Sequence, residues 1–279
     1  MIQDNETNTL YLAETLKKAK YAPFLKRFES ALTENKIPFK FLTGTKDIWA
    51  VDYMPVQFQE NSFVQFRYNP DYLQSISGLK SISNVDEICK SIDVLPKKSA
   101  LVVDGGNIIR SKDAVIMCDK VFKENATLTE KELIKQLRQD LEIEKIYFVP
   151  KDKYDVTGHS DGMVRFIYNN TVLINDYSKE KPEFPRAFRM ALHNAGLEYI
   201  ELPYTPYENK PTSSAEGIYL NYLQMEQAIF VPVFDRAEDE NVLKILEKVF
   251  QGQKIIPVIS NEIGIHGGGL NCITWNLKG

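Results

Sequence analysis

The chain has 279 residues, of which 43% are hydrophobic and 26% are charged, which is typical of a globular protein and not of a disordered one. Its net charge of −4 argues against a nucleic-acid-binding protein, since such proteins normally carry a basic excess. No apolar run approaches the roughly 20 residues that span a bilayer, and the polar N-terminus lacks a signal-peptide core, so we expect no membrane contact. Three cysteines without CxxC spacing exclude a disulfide framework and an ordinary structural zinc site, and they favour a cytoplasmic protein.

No linker or low-complexity stretch divides the sequence, so we predict one domain over residues 1–279. Within it, a unit of two strands, a helix and a third strand recurs. The first clear copy has these elements at residues 102–110, 114–119, 129–141 and 143–150. The second has them at 159–168, 171–175, 184–194 and 198–202, with a turn at 169–170. The third has them at 217–223, 228–233, 239–250 and 254–259.

Helices near residues 10–34 and the segment 58–67 could belong to two further, less regular copies. The repetition at a spacing of roughly 50 residues indicates internal pseudosymmetry. Local signals support individual elements, above all the helix that follows residue 128. Thr129 is expected to cap this helix and Glu132 to complete a capping box.

Two segments in the first half place a carboxylate beside apolar residues or glycines. Asp52 lies in the sequence DIWAVDYMP, and burying it is costly unless a cation or several donors compensate it. Taken alone, it is best interpreted as a turn or cap residue; the alternative is an anion that receives a cationic ligand, with Trp49 as an aromatic face. Asp104 begins the sequence DGGN, which alone predicts only a bulge or tight bend.

Two segments in the second half carry a histidine and a cysteine. His159 and Asp161 are predicted to lie on one strand and to project from the same face. Cys272 follows three glycines, so a substrate could approach its thiol, although most cysteines outside motifs are buried and inert. We interpret Cys89, Cys118 and His193 as packing residues and leave the role of His266 open.

One cysteine, one histidine and several aspartates suit chemistry on a guanidinium. Paired carboxylates match this planar cation and leave its central carbon exposed to a thiolate. A histidine can then protonate the departing nitrogen and activate a water molecule. A papain-like protease does not require the additional aspartates, and its local cysteine signature is missing.

At four ordered segments the chain resembles the agmatine deiminase and bacterial peptidylarginine deiminase group of guanidino-modifying enzymes. The resemblance covers about residues 45–276, and residues 214–223 also look like a segment of that group that leads into a late strand. The four motifs read Trp49-Ala-Val-Asp52-Tyr-Met-Pro55, Asp104-Gly-Gly-Asn107, His159-Ser-Asp161-Gly-Met-Val-Arg165-Phe166 and Gly267-Gly-Gly-Leu-Asn-Cys272-Ile-Thr274.

The resemblance implies an α/β fold, the five-bladed α/β propeller called the pentein fold, built from ββαβ-like repeats. It also implies that Cys272 is the nucleophile, His159 the general acid and base, and Asp52 and Asp161 the groups that hold the guanidinium. The substrate-binding positions that it implies are Asp104 at the distal end of the substrate, Trp49 along its stem, and Asn221, Gly268 and Gly269 at the wall of the site. No metal or organic cofactor is implied.

The activity implied is hydrolysis of a small cationic guanidino substrate, with agmatine giving N-carbamoylputrescine and ammonia as the first expectation and polyamine biosynthesis as the setting. Alternatives are a peptidylarginine deiminase, an amidinotransferase and a non-catalytic pentein that binds a ligand or partner. The sequence leaves a homo-oligomer open. It departs from the group's pattern at Val51, Asn271 and Trp275-Asn276, which bears on the distal end of the substrate. There a carboxylate could meet Arg67, Arg110 or Arg165.

Overall fold

The structure is a computed structural model that describes residues 1–168, 170–204 and 214–279. Within these residues the strands form five sheets of three strands each. The strands are β1 (Thr9–Ala13), β2 (Phe39–Leu42), β3 (Val56–Gln59), β4 (Ser62–Arg67), β5 (Lys97–Val102), β6 (Ile109–Arg110), β7 (Ala114–Cys118), β8 (Lys145–Val149), β9 (Val164–Tyr168), β10 (Thr171–Asn175), β11 (Glu198–Leu202), β12 (Leu223–Gln224), β13 (Ala228–Val233), β14 (Lys254–Ile259) and β15 (Thr274–Leu277).

One or two helices connect the second and third strand of each sheet, and short helices lie between some of the sheets. They are α1 (Ala22–Glu34), α2 (Ala50–Tyr53), α3 (Ile76–Ser81), α4 (Val85–Ser91), α5 (Lys120–Glu124), α6 (Glu130–Leu141), α7 (Glu183–Asn194), α8 (Asp239–Val249) and α9 (Asn261–Gly264). Short 3-10 turns lie between several of these elements.

Each sheet repeats one topology. In the third sheet, β7 pairs antiparallel with β6 and parallel with β8, and α5 and α6 make the crossover between the parallel strands. A parallel pair requires such a crossover, because a tight hairpin can join only antiparallel strands. The repeats at 102–150, 159–202 and 217–259 are therefore confirmed as ββαβ units.

The two ends of the chain meet in one sheet. Strand β15 pairs antiparallel with β1, with Thr9 opposite Leu277, and β1 pairs parallel with β2. The first and last repeats also share one apolar cluster, in which Phe28 of α1 contacts Phe230 of β13 edge-on at a ring distance of 6.0 Å. Pairing of the terminal strands thus completes one of the five sheets.

Several local signals in the sequence are confirmed. The Thr129 hydroxyl accepts a hydrogen bond from the Glu132 N–H, and the Glu132 carboxylate accepts one from the Thr129 N–H, which forms the predicted capping box. The apolar face of α6 is buried at Leu133, Leu137 and Leu141. Gly196 follows α7 with a φ of 69°, a left-handed value that favours glycine after a helix.

Other predicted elements are wrong. Residues 9–13 form β1 and not a helix, because pairing with a strand on each side outweighs local helical propensity. The extended segment 217–223 contains turns, and only Leu223–Gln224 is a strand, whereas residues 102–110 are interrupted by a 3-10 turn at Gly105–Asn107. In the predicted turn at 169–170, residue 169 lies outside the described residues. His193 is exposed on α7 and is not a packing residue.

Across the described ranges, no helix has both the length and the apolar character needed to cross a membrane.

Candidate active site

Three of the four motif segments line one cavity of about 230 Å³, and the fourth, Asp104-Gly-Gly-Asn107, packs behind Asp52 and His159. Asp52 reaches it from the short helix α2, whereas His159 and Asp161 flank and occupy a 3-10 turn just before β9. Cys272 lies two residues before β15. The prediction that His159 and Asp161 share a strand is wrong, since the strand begins at Val164; a single turn nevertheless directs both toward the cavity.

Cys272 lies at the cavity with 6% of its surface exposed. Its Sγ accepts a hydrogen bond from Asn221 Nδ2 at 3.1 Å and donates one to Asp161 Oδ2 at 3.4 Å. Burial, together with the negative charges of Asp161 and Asp52, raises the pKa of the thiol well above its ordinary value. Cys272 is therefore a neutral thiol that is hydrogen-bonded to a carboxylate.

His159 lies between two carboxylates. Its Nε2 donates to Asp104 Oδ2 at 2.9 Å, and its Nδ1 lies 3.4 Å from Asp52 Oδ1. Burial opposes the charged ring, but the negative charge of Asp52 and the hydrogen bond to Asp104 outweigh it and raise the pKa of His159 to about 9. The ring is therefore an imidazolium at neutral pH and can act as a general acid.

Asp52 faces this imidazolium from α2. Its Oδ1 accepts a hydrogen bond from the Gly106 N–H at 3.1 Å. Burial raises the pKa of Asp52 to about 7, although the charge of His159 acts in the opposite direction. A Cβ atom on Gly106 would lie 2.6 Å from Asp52 Oδ1 and 2.7 Å from His159 Nδ1. The second glycine of DGGN is thus needed for close approach of these two side chains.

Asp161 is held by the residue that precedes the cysteine. Its Oδ2 accepts a hydrogen bond from Asn271 Nδ2 at 2.8 Å, as well as the longer one from Cys272. Asn271 is one of the departures from the family pattern, and here it orients a carboxylate of the cavity. The carboxylates of Asp52 and Asp161 both line the cavity, as predicted.

Asp104 does not line the cavity, and its side chain is fully buried. Its Oδ2 accepts hydrogen bonds from His159 Nε2 and from Lys120 Nζ at 2.8 Å. The structure therefore places Asp104 behind the imidazole and not at the distal end of a substrate. Lys120 carries no sequence signal that distinguishes it from a surface lysine, so its contact with Asp104 was not predictable.

The glycines near the cysteine support the wall of the cavity. A Cβ atom on Gly268 would lie 2.3 Å from Trp49 Cζ3, so this glycine makes room for the indole ring. The N–H groups of Gly269 and Cys272 both donate to Asn221 Oδ1 at 3.1 Å. Trp49, Asn221 and Gly267 line the cavity, whereas Gly268 and Gly269 act through their neighbours.

Aromatic residues that the sequence did not indicate complete the mouth. Tyr68 and Tyr72 line the cavity, and the ring of Tyr72 lies 6.0 Å from that of His159 in an edge-on arrangement. His266 also lines it, and burial followed by the charge of Lys20 lowers its pKa. The repeated aromatic residues in FRYNPDYL were the available signal for this wall.

Apart from the imidazolium of His159, the charged groups of the described lining are carboxylates. Among the described lining residues there are four aspartates and no lysine or arginine. The aspartates are Asp47, Asp52, Asp155 and Asp161. Such a cavity attracts a cation and disfavours a carboxylate.

The arginines considered for a substrate carboxylate lie elsewhere. Arg110 forms an ion pair with Asp4, and Arg165 donates to Asp4 Oδ2 at 2.7 Å and to the Tyr222 carbonyl at 3.1 Å. Asn276, a departure from the family pattern, also donates to Asp4. We call Asp4, Arg110, Arg165 and Asn276 the Asp4 cluster. Neither arginine lines the cavity, and Arg67 is exposed.

Within residues 1–168, 170–204 and 214–279, no group of three or more histidine, cysteine, aspartate or glutamate side chains has a geometry that could hold a metal ion.

The fold is shared with enzymes of known structure. An agmatine deiminase from C. jejuni superimposes with a TM-score of 0.79 at 20% identity, with 100% of this chain and 95% of that chain covered. The dimethylarginine dimethylaminohydrolase DDAH from Pseudomonas aeruginosa, in a complex with citrulline, gives a TM-score of 0.61 at 15% identity, with coverage of 97% and 99%. The five-bladed α/β propeller, or pentein fold, is thereby confirmed.

Curated relatives are similar in sequence over part of their length. The agmatine deiminase of Pseudomonas fluorescens is 23% identical over 214 residues, which is 64% of this chain and 57% of the relative. That of Ectopseudomonas mendocina is 25% identical over 205 residues, or 62% and 54%. The matched region thus spans less than two thirds of these relatives. Residues 2–277 match the Porphyromonas-type peptidyl-arginine deiminase family, and because this match covers nearly the whole chain and includes all four motif segments, the protein belongs to that family.

Proposed function

We propose that the protein is a deiminase that hydrolyses the guanidinium of a small cationic substrate, with agmatine as the substrate and N-carbamoylputrescine and ammonia as the products. The observation that carries this proposal is the meeting of Cys272, His159 and the carboxylates of Asp52 and Asp161 at one cavity. The family membership and the substrate-bound structure of the C. jejuni agmatine deiminase, which has the same fold, support it.

Binding comes first. A guanidinium between Asp52 and Asp161 can donate hydrogen bonds to both carboxylates, and it adds a second cation beside the imidazolium of His159. Its positive charge next to Sγ favours the thiolate of Cys272, so binding lowers the pKa of the thiol, which burial and the neighbouring carboxylates raise. The thiol proton passes to a neighbouring carboxylate; Asp161 Oδ2 already accepts it in a hydrogen bond.

Two chemical steps follow. The thiolate attacks the central carbon, a carbon–sulfur bond forms, and the imidazolium of His159 protonates the amino group that leaves as ammonia. The neutral imidazole then takes a proton from water, and the hydroxide attacks the thiouronium carbon. The carbon–sulfur bond breaks, the added hydroxyl gives its proton to the departing thiolate, and the ureido product is released. The proton held by the carboxylate leaves with ammonia as ammonium, which restores the starting enzyme. One water is consumed and one ammonia is released, and no oxidant or reductant is required.

Charge favours agmatine over arginine. Agmatine has an ammonium group at its distal end, where arginine also has a carboxylate. Asp47 and Asp155 line the cavity together with Asp52 and Asp161, and the described lining offers no lysine or arginine to a carboxylate. The α-carboxylate of arginine would therefore be repelled, whereas a second cation would be attracted.

The test is an assay of ammonia and ureido product with agmatine, arginine, methylated arginines and arginyl peptides, each with and without an added amine acceptor. The proposal predicts ammonia release from agmatine without an acceptor. Product formation only with an amine would indicate an amidinotransferase, and preference for arginyl peptides would indicate a peptidylarginine deiminase. No turnover of any of these compounds would contradict the proposal and favour a binding protein.

A further inference from the structure

A line of buried charges extends from the imidazole of His159 into the protein, away from the cavity. His159 Nε2 contacts Asp104 Oδ2 at 2.9 Å, the same oxygen contacts Lys120 Nζ at 2.8 Å, and Lys120 Nζ contacts Glu124 Oε1 at 3.0 Å. The side chains of Lys120 and Glu124 are only 3% and 4% exposed. Of these four residues, only His159 lines the cavity.

Lys120 remains charged in this position. A buried lysine loses hydration and tends to become neutral unless anions compensate it. Lys120 has two carboxylates within 3.0 Å, one on each side, and their charges outweigh burial and raise its pKa. The first turn of α5 therefore brings a permanent positive charge close to the imidazole.

One oxygen of Asp104 serves both cations. Oδ2 accepts from Lys120 and from His159, whereas Oδ1 has no hydrogen-bond partner in the described part of the chain. Two donors at one carboxylate oxygen compete for the same negative charge. Lys120 thus weakens the support that Asp104 gives to the imidazolium, and it adds a like charge nearby.

We propose that Lys120 is a positioning residue that acts through Asp104 to limit how strongly His159 holds its proton. Without Lys120, Asp52 and Asp104 would together stabilise the imidazolium so strongly that it would release its proton poorly. The inference rests on the proposed function only where it calls His159 the general acid and base; the electrostatic statement stands by itself.

Other charged and titratable groups also face His159 and stay unchanged in the test. They are Asp52 on α2, Asp155 four residues before His159 in the sequence, Asp161 two residues after it, and Tyr72 on the segment that follows β4. Asp155 contacts the His159 backbone N–H and not the ring.

The experiment is a titration of the histidine ring signals by NMR in the full chain. The protein has three histidines, so the spectrum is simple, and a His159→Gln variant assigns the signal of interest. The variant Lys120→Met keeps an unbranched side chain that is one atom shorter and removes the charge, whereas Lys120→Arg keeps the charge. Lys123→Met is the matched control, because Lys123 is on the same helix with 82% of its side chain exposed.

The midpoint of the His159 titration should rise by about one pH unit or more in Lys120→Met, and stay unchanged in Lys120→Arg and Lys123→Met. Glu124→Gln should lower the midpoint, because Lys120 then has Asp104 as its remaining carboxylate partner and competes more strongly with His159 for its negative charge. If Lys120 and Glu124 only held the local structure together, Lys120→Met and Glu124→Gln would move the His159 midpoint in the same direction. An unchanged midpoint in Lys120→Met overturns the inference; if that variant does not fold, an unchanged or raised midpoint in Glu124→Gln does so.

Activity gives a second readout. The alkaline limb of the kcat/KM profile should move to higher pH in Lys120→Met and keep its place in Lys123→Met. If no guanidino compound is turned over but the NMR midpoint moves as stated, the proposed function fails and the inference about Lys120 stands. If turnover is found and the midpoint does not move, the inference fails and the proposed function stands.

Discussion

Asp4 is partly buried and Asp52 and Asp161 are buried, but of these three carboxylates only Asp4 contacts a guanidinium group within the described residues. In the Asp4 cluster, Arg110 and Arg165 bind one carboxylate, and the adjacent cavity is only about 30 Å³. At the candidate active site, the carboxylates contact an imidazole, an amide and a thiol beside a cavity of about 230 Å³. The protein thus pairs one carboxylate with its own guanidinium groups, whereas Asp52 and Asp161 face a cavity.

The charges explain why the second site has the properties of an active site. A carboxylate with a matched arginine is satisfied and contributes to stability. Asp52 lacks such a partner, and its pKa is raised to about 7 by burial. Groups whose pKa is shifted in this way within a cavity are typical of functional sites.

The largest expected effect is that of Cys272→Ala. This change removes the nucleophile, so ammonia release from agmatine should fall by at least about 10⁴-fold. Binding of agmatine, measured by calorimetry, should be retained because Asp52 and Asp161 are unchanged. Normal turnover by Cys272→Ala would refute the covalent mechanism.

The next largest effect is expected when a carboxylate of the candidate active site is replaced. Asp52→Asn or Asp161→Asn leaves a bound guanidinium with one carboxylate in a dry site, so kcat/KM should fall by about 10²- to 10³-fold and the Kd for agmatine should rise. Asp71→Asn is a suitable control because Asp71 forms an exposed ion pair with Lys123 and does not line the cavity. A loss of rate with unchanged affinity would contradict the binding role.

The complementary change at the Asp4 cluster should affect stability. Asp4→Asn leaves Arg110 and Arg165 without their anion, and breaking such a pair costs about 3 kcal/mol when it is buried. The free energy of unfolding by urea should fall by about 2–3 kcal/mol, while the KM for agmatine stays within about twofold. An increase in KM that matches the effect of Asp52→Asn would contradict the division between the two sites.

The smallest expected effect is the pH dependence of stability without ligand. The pKa of His159 is raised to about 9, so its contribution to stability is complete below its ordinary value of 6.5 and is lost as the pH rises through 9. The pKa of Asp52 is also raised, to about 7, so its contribution to stability is likewise lost as the pH rises, but over a lower pH range. The Tm should therefore fall by about 2–4 °C or more between pH 6.5 and 9.

A double variant provides the control for this prediction. His159→Gln alone would leave Asp52 without its cation, so Asp52 would titrate within the same range. The combination of His159→Gln with Asp52→Asn removes both groups, and its Tm should change little between pH 6.5 and 9. An equal fall in the double variant and the original protein would assign the effect to other groups.

The sequence predicted the repeats well where local signals and tertiary structure agree. The capping box at Thr129 and the glycine after α7 mark helix ends by backbone chemistry alone. Strand β1 was missed because its partners, β2 and β15, come from distant parts of the chain. Pairing of this kind is not encoded in a local window of sequence.

The candidate site was predictable as a set of residues but not as a set of contacts. Glycines beside Asp104 and Cys272 indicated close approach, and the structure assigns Gly106 and Gly268 to that purpose. The roles of Asp104 and Arg165 could not be predicted, because their partners Lys120 and Asp4 look like surface residues in the sequence. Arg165 and Asp4 are 161 residues apart in the chain.

The central claim is that the thiol of Cys272 faces a cavity that selects a flat cation, and alkylation tests it most directly. Chloroacetamidine carries an amidinium and chloroacetamide is its neutral counterpart; either can form a carbon–sulfur bond with a thiolate and release chloride. Intact mass and peptide mapping should show one adduct at Cys272, formed much faster with the amidine, slowed by agmatine, and absent at Cys89 and Cys118, which do not line the cavity. Equal rates with both reagents, or an unmodified Cys272, would contradict the account.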